Sequence, residues 1–280
     1  MFLSLALMLA FQTPPAAAVV TKPVVNMYSS ATEDADVVSQ ALYGRPLALL
    51  EEKDGWARVR TEDEYTGWMP ASSFRRLAAG EQPYASKGRV AMVEAMFANI
   101  YREPDVTKHA PLLVLPYETK LEIAAERDDR WFQVKLVDGA TAWVQRGDLT
   151  FDTAPMSIDA MIAFSKRFLG LPYLWGGTST FGYDCSGYMQ MLMRRRGVLM
   201  PRDAQPQADW DRFVPVATKD LQPGDLLYFG RSDKRITHTG MYIGNGQFIN
   251  ATTHEKPIVQ ICPLGDPYWT KLLVAARRLK

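Results

Sequence analysis

Cys185 is the residue of this sequence best placed for covalent chemistry, in the stretch YDCSGYMQMLMRRRG at residues 183–197. Asp184 can cap a helix that begins at the cysteine, and Gly197 can end that helix. A helix N-terminus stabilises negative charge, because its N–H groups are unpaired and its peptide dipoles are aligned. We therefore expect the helix to lower the pKa of the thiol and to favour the nucleophilic thiolate. The alternative is a small buried apolar residue, as free cysteines usually are.

A nucleophilic cysteine needs a base and a group that orients the base. His238 opens HTGMYIGNGQFINA, which is typical of a β-hairpin that turns at GNG. A three-residue loop places His238 and Asn250 on the same face of the hairpin, whereas a two-residue turn at Asn245 and Gly246 places them on opposite faces. On the first reading, the Asn250 amide oxygen fixes the tautomer of His238 that presents its other nitrogen to Cys185.

The remaining histidines and the second cysteine receive other interpretations. His254 is the alternative orienting residue, although its position beyond the returning strand predicts a loop. Cys262 lies in the alternating segment IVQICPL and is interpreted as a core residue. His109 is far from the thiol in sequence and is expected at the surface. Two cysteines and three histidines provide neither a disulfide framework nor a paired-histidine zinc motif, so we expect no metal and no cofactor.

Two segments in the first half of the chain, residues 24–78 and 97–150, resemble each other. They begin with NMYSS and NIYREP, and each has two tryptophans at the same separation: Trp56 with Trp68, and Trp131 with Trp143. Their short alternating runs, bounded by Gly, Asp and Pro, predict a small β-barrel in each segment. Packing alone is the alternative role for the tryptophans. Residues 77–88 are interpreted as a linker between the barrels.

The start of the chain and its net charge constrain the location and the partners of the protein. The apolar run FLSLALMLAF is too short to span a bilayer, and the alanines that follow suit signal peptidase. We expect a signal peptide over residues 1–18, cleaved near Ala18, although no basic residue precedes Lys22. Export would place the protein in the periplasm, or in the extracellular space or cell envelope. We expect no stable membrane association after the signal peptide is removed. A net charge of +1 argues against a nucleic-acid partner.

Four motifs in the second half, PYLWGG, YDCSG, LQPGDLLYF and HTGMYIGNGQFINA, together resemble the NlpC/P60 family of papain-like cysteine peptidases. The order of helices followed by strands after Met156 is that of an α+β domain. The resemblance implies an α+β papain-like catalytic domain over residues 155–280. The tryptophan-containing segments resemble bacterial SH3 domains, which implies two small all-β SH3-like barrels in front, over residues 19–78 and 86–150.

The same resemblance implies an activity and a site. It implies Cys185 as nucleophile, His238 as base and Asn250 as orienting residue, at a position where histidine is commoner in the family. Two barrels in front resemble γ-D-glutamyl-L-diamino acid endopeptidases, which cleave murein peptides with a free N-terminal L-Ala at the bond between γ-D-Glu and the diamino acid. The alternatives are a lytic D,L-endopeptidase on intact peptidoglycan, with the barrels as wall-targeting modules, and a non-catalytic wall-binding protein. We expect a monomer.

By this resemblance, six residues are expected to contact the substrate: Tyr65, Tyr173, Asp184, Ser186, Arg202 and Asp203. The neighbourhood of Asp184 would meet the free amine of L-Ala, and the hydroxyl of Tyr173 would lie near the oxyanion. Arg202 either binds a substrate carboxylate in a bidentate manner or forms a local ion pair.

Overall fold

The structure, a computed structural model, describes residues 17–280. The expected signal peptide lies outside these residues, apart from Ala17 and Ala18. The first unit is a seven-stranded antiparallel sheet in the order β3-β2-β6-β5-β4-β1-β7. Its strands are β1 (Ala18–Val20), β2 (Val24–Tyr28), β3 (Val37–Leu42), β4 (Pro46–Lys53), β5 (Trp56–Arg60), β6 (Thr66–Pro70) and β7 (Phe74–Arg76).

The second unit repeats the topology of the first. Its strands are β8 (Val90–Val93), β9 (Phe97–Tyr101), β10 (Leu113–Pro116), β11 (Lys120–Glu126), β12 (Trp131–Lys135), β13 (Thr141–Gln145) and β14 (Leu149–Thr150). Their order is β10-β9-β13-β12-β11-β8-β14, which is the first order with seven added to each label. Equivalent rings also meet edge to face, Tyr28 with Trp56 at 5.5 Å and Tyr101 with Trp131 at 5.6 Å between centroids. The tryptophan repeat therefore marks a repeated packing arrangement.

The third unit contains four helices and a six-stranded sheet in the order β17-β22-β18-β19-β20-β21. The helices are α1 (Ile158–Ser165), α2 (Cys185–Arg195), α3 (Ala204–Ala208) and α4 (Pro267–Leu272). The strands are β15 (Thr178–Ser179) and β16 (Gly182–Tyr183), which pair separately, then β17 (Phe213–Pro215), β18 (Leu226–Ser232), β19 (Arg235–Gly244), β20 (Gln247–Thr252), β21 (Ile258–Pro263) and β22 (Leu273–Leu279). Helix α2 packs against β19 and β20, which brings its first turn to the hairpin.

The first and second units both pack against the third unit. From the first barrel, the Gln40 side chain accepts a hydrogen bond of 3.0 Å from the Thr178 N–H. From the second, Tyr117 enters the apolar core of the third unit, and Glu118 forms a 2.7 Å ion pair with Arg194 at the end of α2. These contacts fix the first barrel beside the start of α2 and the second beside its end. Within residues 17–280, no helix combines the length and apolar character needed to cross a bilayer.

Candidate active site

Cys185 is the first residue of α2, as the sequence predicts, and Asp184 is its N-cap. The Asp184 carboxylate accepts a 2.7 Å hydrogen bond from the Gly187 N–H. Burial and the Asp184 charge raise the pKa of Cys185 to about 12, although backbone N–H groups of Thr239 and Ser186 oppose the shift. The N–H of Ser186 lowers the pKa, as expected of a helix terminus, but the expected net lowering is wrong because burial dominates. The thiol is only 7% exposed, and the loss of hydration outweighs what the helix terminus offers the thiolate.

His238 and Asn250 meet across β19 and β20, with 2.9 Å between Nε2 of the ring and Oδ1 of the amide. The amide orientation follows from its other end, where Nδ2 donates to the Gln260 carbonyl at 3.3 Å. Because an amide oxygen can only accept, the neutral ring donates from Nε2, and Nδ1 is its basic nitrogen. The pair therefore has the contact and the tautomer that a general base requires.

The hairpin reaches this arrangement by a route that the sequence did not predict. Its turn has two residues, Asn245 and Gly246, with φ values of 52° and 69°. Alone, that turn would place the histidine and the asparagine on opposite faces. A bulge between Tyr242 and Gly244 shifts the register by one residue and returns both side chains to the same face.

Aromatic side chains enclose the His238 ring. The Trp269 indole stacks on it with 5.0 Å between centroids, and the Phe229 ring lies at 5.6 Å. Burial lowers the pKa of His238 to about 4, and the hydrogen bond to Asn250 and the charge of Asp184 oppose that shift only in part. The ring is therefore neutral at pH 7 and available as a proton acceptor.

Strand β19, which carries His238, packs against α2, and the backbone N–H of Thr239, the next residue, lowers the pKa of the Cys185 thiol. Transfer of the thiol proton to the ring creates both charges together, and their attraction offsets part of the cost of burial. We infer a resting pair of thiol and neutral imidazole that becomes an ion pair when substrate is attacked.

The thiol opens onto a cavity of about 470 Å³ between the third unit and the first barrel. Five of the six expected substrate contacts line it: Tyr65, Tyr173, Asp184, Ser186 and Asp203. Asp36, Val37 and Val38, at the start of β3, form a further wall that sequence analysis missed. Only the docking of the barrel against the third unit identifies them, because no local pattern shows which strand of a barrel faces another domain.

Arg202, the sixth expected contact, lies behind the cavity wall. Its side chain is 1% exposed and forms a bidentate ion pair with Asp184, at 2.6 and 3.0 Å. It also donates to the hydroxyls of Ser186 at 2.8 Å and Ser39 at 3.2 Å. The expected contact with a substrate carboxylate is therefore corrected to a local ion pair, because the buried guanidinium is directed at Asp184.

Tyr65 and Asp203 connect the two sides of the cavity. The Tyr65 hydroxyl donates a 3.1 Å hydrogen bond to the Asp203 carboxylate. Burial raises the pKa of Asp203, and burial together with the Asp203 charge raises that of Tyr65. Tyr65 of the first barrel therefore reaches the cavity, as expected, and its contact there is with Asp203.

The other histidines and the second cysteine differ in their relation to the site. His254 stacks on Tyr268, with 3.8 Å between centroids, while Asn250 occupies the position beside the His238 ring. Cys262 is buried, as expected, but its sulfur also accepts a 3.4 Å hydrogen bond from Asn250. The part of the chain that the structure describes has no cluster of three His, Cys, Asp or Glu side chains arranged to hold a metal ion.

Comparison with known protein families gives matches to the third unit and to the first. Residues 170–278 match the NlpC/P60 family, and residues 27–74 match the bacterial dipeptidyl-peptidase Sh3 domain. A γ-D-glutamyl-L-lysine dipeptidyl-peptidase of Bacillus cereus is 34% identical over 257 residues, covering 86% of this chain and 74% of its own. The protein of the same name from Bacillus subtilis is 29% identical over 252 residues, with coverages of 86% and 81%. A crystal structure of an NlpC/P60 family protein from Bacillus cereus aligns with a TM-score of 0.80 and 27% identity, over 94% of this chain and 99% of that one.

Proposed function

The chain belongs to the NlpC/P60 family, and on that basis we propose that it is a cysteine peptidase that cleaves the amide between γ-D-Glu and a diamino acid in murein peptides with a free N-terminal L-Ala. One observation carries the proposal: a helix-terminal thiol opens onto a cavity with polar lining residues, and the two strands that pack against its helix carry the hydrogen-bonded His238–Asn250 pair. The two relatives named as γ-D-glutamyl-L-lysine dipeptidyl-peptidases support the substrate class.

Three residues perform the proposed chemistry. The Cys185 sulfur attacks the γ-carbonyl of D-Glu while Nδ1 of His238 accepts the thiol proton. The ring then donates this proton to the departing amine of the diamino acid, and a thioester remains. Water gives a proton to the same nitrogen as it attacks the thioester, which releases the γ-carboxylate of D-Glu and restores the thiol. Asn250 keeps the ring in the required tautomer throughout.

The start of α2 and a tyrosine supply the proposed oxyanion site. The Gly187 N–H is bonded to Asp184, whereas among the described residues no acceptor is bonded to the N–H of Cys185. That N–H can donate to the oxygen that becomes negative when the sulfur attacks. Tyr173 lines the same cavity, and burial raises its pKa, so its hydroxyl remains a donor at neutral pH.

The charge of the cavity supports recognition of an amine. Arg202 already neutralises Asp184, which leaves the carboxylates of Asp36 and Asp203 in the cavity lining. Burial raises the pKa of Asp203, so a bound ammonium group would compensate that carboxylate for its lost hydration. The free α-amine of L-Ala is such a group.

The first barrel is the proposed gatekeeper. Residues 36–38 and Tyr65 close one side of the cavity. We expect this wall to admit a free peptide N-terminus and to exclude a stem peptide that is still attached to the glycan. The wall argues against lytic action on intact peptidoglycan.

Mass spectrometry of the products from defined murein peptides tests the proposal. The substrates are L-Ala-γ-D-Glu-L-Lys and its meso-diaminopimelate counterpart, each with a free or an acetylated L-Ala amine, together with intact murein. We expect cleavage after γ-D-Glu in the free-amine peptides alone, and none with Cys185→Ala. Hydrolysis by Cys185→Ala would overturn the peptidase mechanism and leave wall binding as the function. Equal turnover of acetylated peptide or intact murein would overturn the gatekeeper role.

Two further parts of the proposal concern the rest of the chain. We propose that residues 86–150 are a second bacterial SH3 barrel, supported by the shared strand order. We also propose export to the cell envelope with removal of the signal peptide expected over residues 1–18. Because Ala18 begins β1 and the Ala17 N–H donates to the Leu47 carbonyl at 2.8 Å, we correct the proposed cleavage position from near Ala18 to before Ala17. N-terminal sequencing of protein from cell fractions tests the export and the cleavage position.

A further inference from the structure

A second cysteine holds the orienting asparagine from the side opposite the histidine. Asn250 is fully buried. Its Nδ2 donates to the Gln260 carbonyl at 3.3 Å and to the Cys262 sulfur at 3.4 Å, while its Oδ1 faces His238. The two amide hydrogens and the amide oxygen therefore have three partners, and Cys262 is one of them.

The Cys262 sulfur occupies a fixed position. The residue is 5% exposed and belongs to an apolar cluster with Phe248 and Trp269. The same Trp269 stacks on the His238 ring. Cys262 therefore packs in one cluster with Trp269 and accepts a hydrogen bond from Asn250, the two side chains that hold the histidine.

The orientation of the Asn250 amide decides which nitrogen of His238 is basic. With Oδ1 toward the ring, Nε2 donates and Nδ1 can accept the Cys185 proton. A reversed amide would direct its NH2 group at Nε2, which would move the ring hydrogen to Nδ1 and prevent that transfer. Without an acceptor for its second hydrogen, the buried amide would lose part of the energetic preference for its present orientation.

We propose that Cys262 is a positioning residue for the reaction, whose sulfur holds the Asn250 amide so that its oxygen faces His238. The inference rests on the proposed peptidase function of Cys185 and His238. Cys262 lies behind Asn250, away from the substrate cavity, so its contribution is to kcat and not to KM. The Cys262 sulfur acts here as a hydrogen-bond acceptor, with no change of bonding at the sulfur.

Two substitutions in the full-length protein separate the acceptor from the packing. Cys262→Val keeps an apolar side chain of similar size and removes the acceptor, whereas Cys262→Ser keeps one. With free-amine murein tripeptide, we expect Cys262→Val to lower kcat about tenfold at unchanged KM, and Cys262→Ser to recover most of the loss. Val259→Ala, on the same strand but in a different core cluster, controls for lost packing and should leave kcat unchanged. Equal kcat for wild type and Cys262→Val would overturn the proposal.

Nitrogen NMR of the histidine rings gives a readout that does not depend on activity. The chain has three histidines, so His109 and His254 serve as internal references. We expect the His238 hydrogen on Nε2 in the wild type and a partial shift to Nδ1 in Cys262→Val alone. Unchanged His238 signals in Cys262→Val would overturn the positioning role. An inactive wild type that shows the expected tautomers would instead count against the proposed function.

Discussion

The hydroxyl of Tyr65 in the first barrel donates a 3.1 Å hydrogen bond to the carboxylate of Asp203 in the third unit, across 138 residues of sequence. Tyr65 packs against the apolar core of its barrel, which directs its hydroxyl outward. The raised pKa of Tyr65, caused by burial and by the Asp203 charge, keeps the phenol protonated as a donor. The cavity beside Cys185 thus takes part of its polar lining from a separate domain.

Tyr65→Phe tests this relationship. We expect KM for the free-amine tripeptide to rise about tenfold with kcat little altered. The reason is that Asp203, where the substrate amine is proposed to bind, loses the donor that holds it. Steady-state kinetics measure the change. Tyr28→Phe is the matched control, since Tyr28 packs on Trp56 in the same barrel, outside the cavity. An unchanged KM in Tyr65→Phe would show that this hydroxyl has no part in substrate binding.

The thiol of the free enzyme should be mostly protonated at neutral pH. Burial and the Asp184 charge raise the pKa of Cys185 to about 12, so its alkylation by iodoacetamide should accelerate as pH rises above about 9. Asp184→Asn keeps a capping side chain and removes the charge, so it should react faster at a given pH. Rates are followed by mass spectrometry, and Cys185→Ala gives the background from Cys262. Fast, pH-independent alkylation down to pH of about 5 would instead indicate a preformed ion pair.

Acid should destabilise the protein through His238. The folded-state pKa is about 4, below the usual value of 6.5, so the unfolded state binds more protons between these values. The contribution of the neutral ring to the free energy of unfolding is fully present above a pH of about 6.5. It is lost as the pH falls through about 4, and the loss is at most about 3 kcal/mol. Urea unfolding of wild type and His238→Gln measures the difference, and the variant should lose less stability on acidification. Identical pH dependence would contradict a buried, neutral ring.

Arg202→Met should lower the free energy of unfolding by about 3–5 kcal/mol, because it leaves the buried Asp184 carboxylate without its counter-charge. The double variant Arg202→Met/Asp184→Asn should recover part of this loss, since a capping amide remains and no unpaired charge is buried. Arg75→Met is the control, because its ion pair with Glu81 is about one third exposed and solvent screening should leave the free energy of unfolding little changed. Urea unfolding decides the outcome. A stable Arg202→Met single variant would contradict the structural role of the pair.

Local patterns predicted the elements that carry the candidate triad. Asp184 as N-cap and Cys185 as first helical residue follow from residue types a few positions apart, and the structure confirms both. The repeat in the first half was also visible, because the same tryptophan spacing produces the same strand pairing. The sequence predicted the hairpin, but it did not predict the combination of a two-residue turn with a bulge. Its Asn-Gly turn is a local signal, whereas the bulge depends on pairing with the neighbouring strands of the sheet.

The contacts that sequence analysis missed or misassigned all join distant segments. Asp36 lies far along the chain from Cys185 and lines the cavity only because the barrel docks there. Arg202 was assigned to substrate, but packing buries it behind Asp184. Trp269 lies on a helix near the end of the chain and covers the His238 ring. Periodicity and capping signals describe neighbours in sequence, and they contain no information about which surfaces will meet.

The sequence by itself determined the family, the thiol at a helix start, the candidate base and its orienting amide, because these depend on residue type and short spacing. The tertiary structure alone decided the electrostatic state of the thiol and the imidazole. Burial of the site raises the pKa of Cys185 and lowers that of His238, reversing the effect expected from the isolated helix. Hydration of a charged group depends on everything packed around it, and that surrounding exists only after the barrels, α2 and the hairpin have come together.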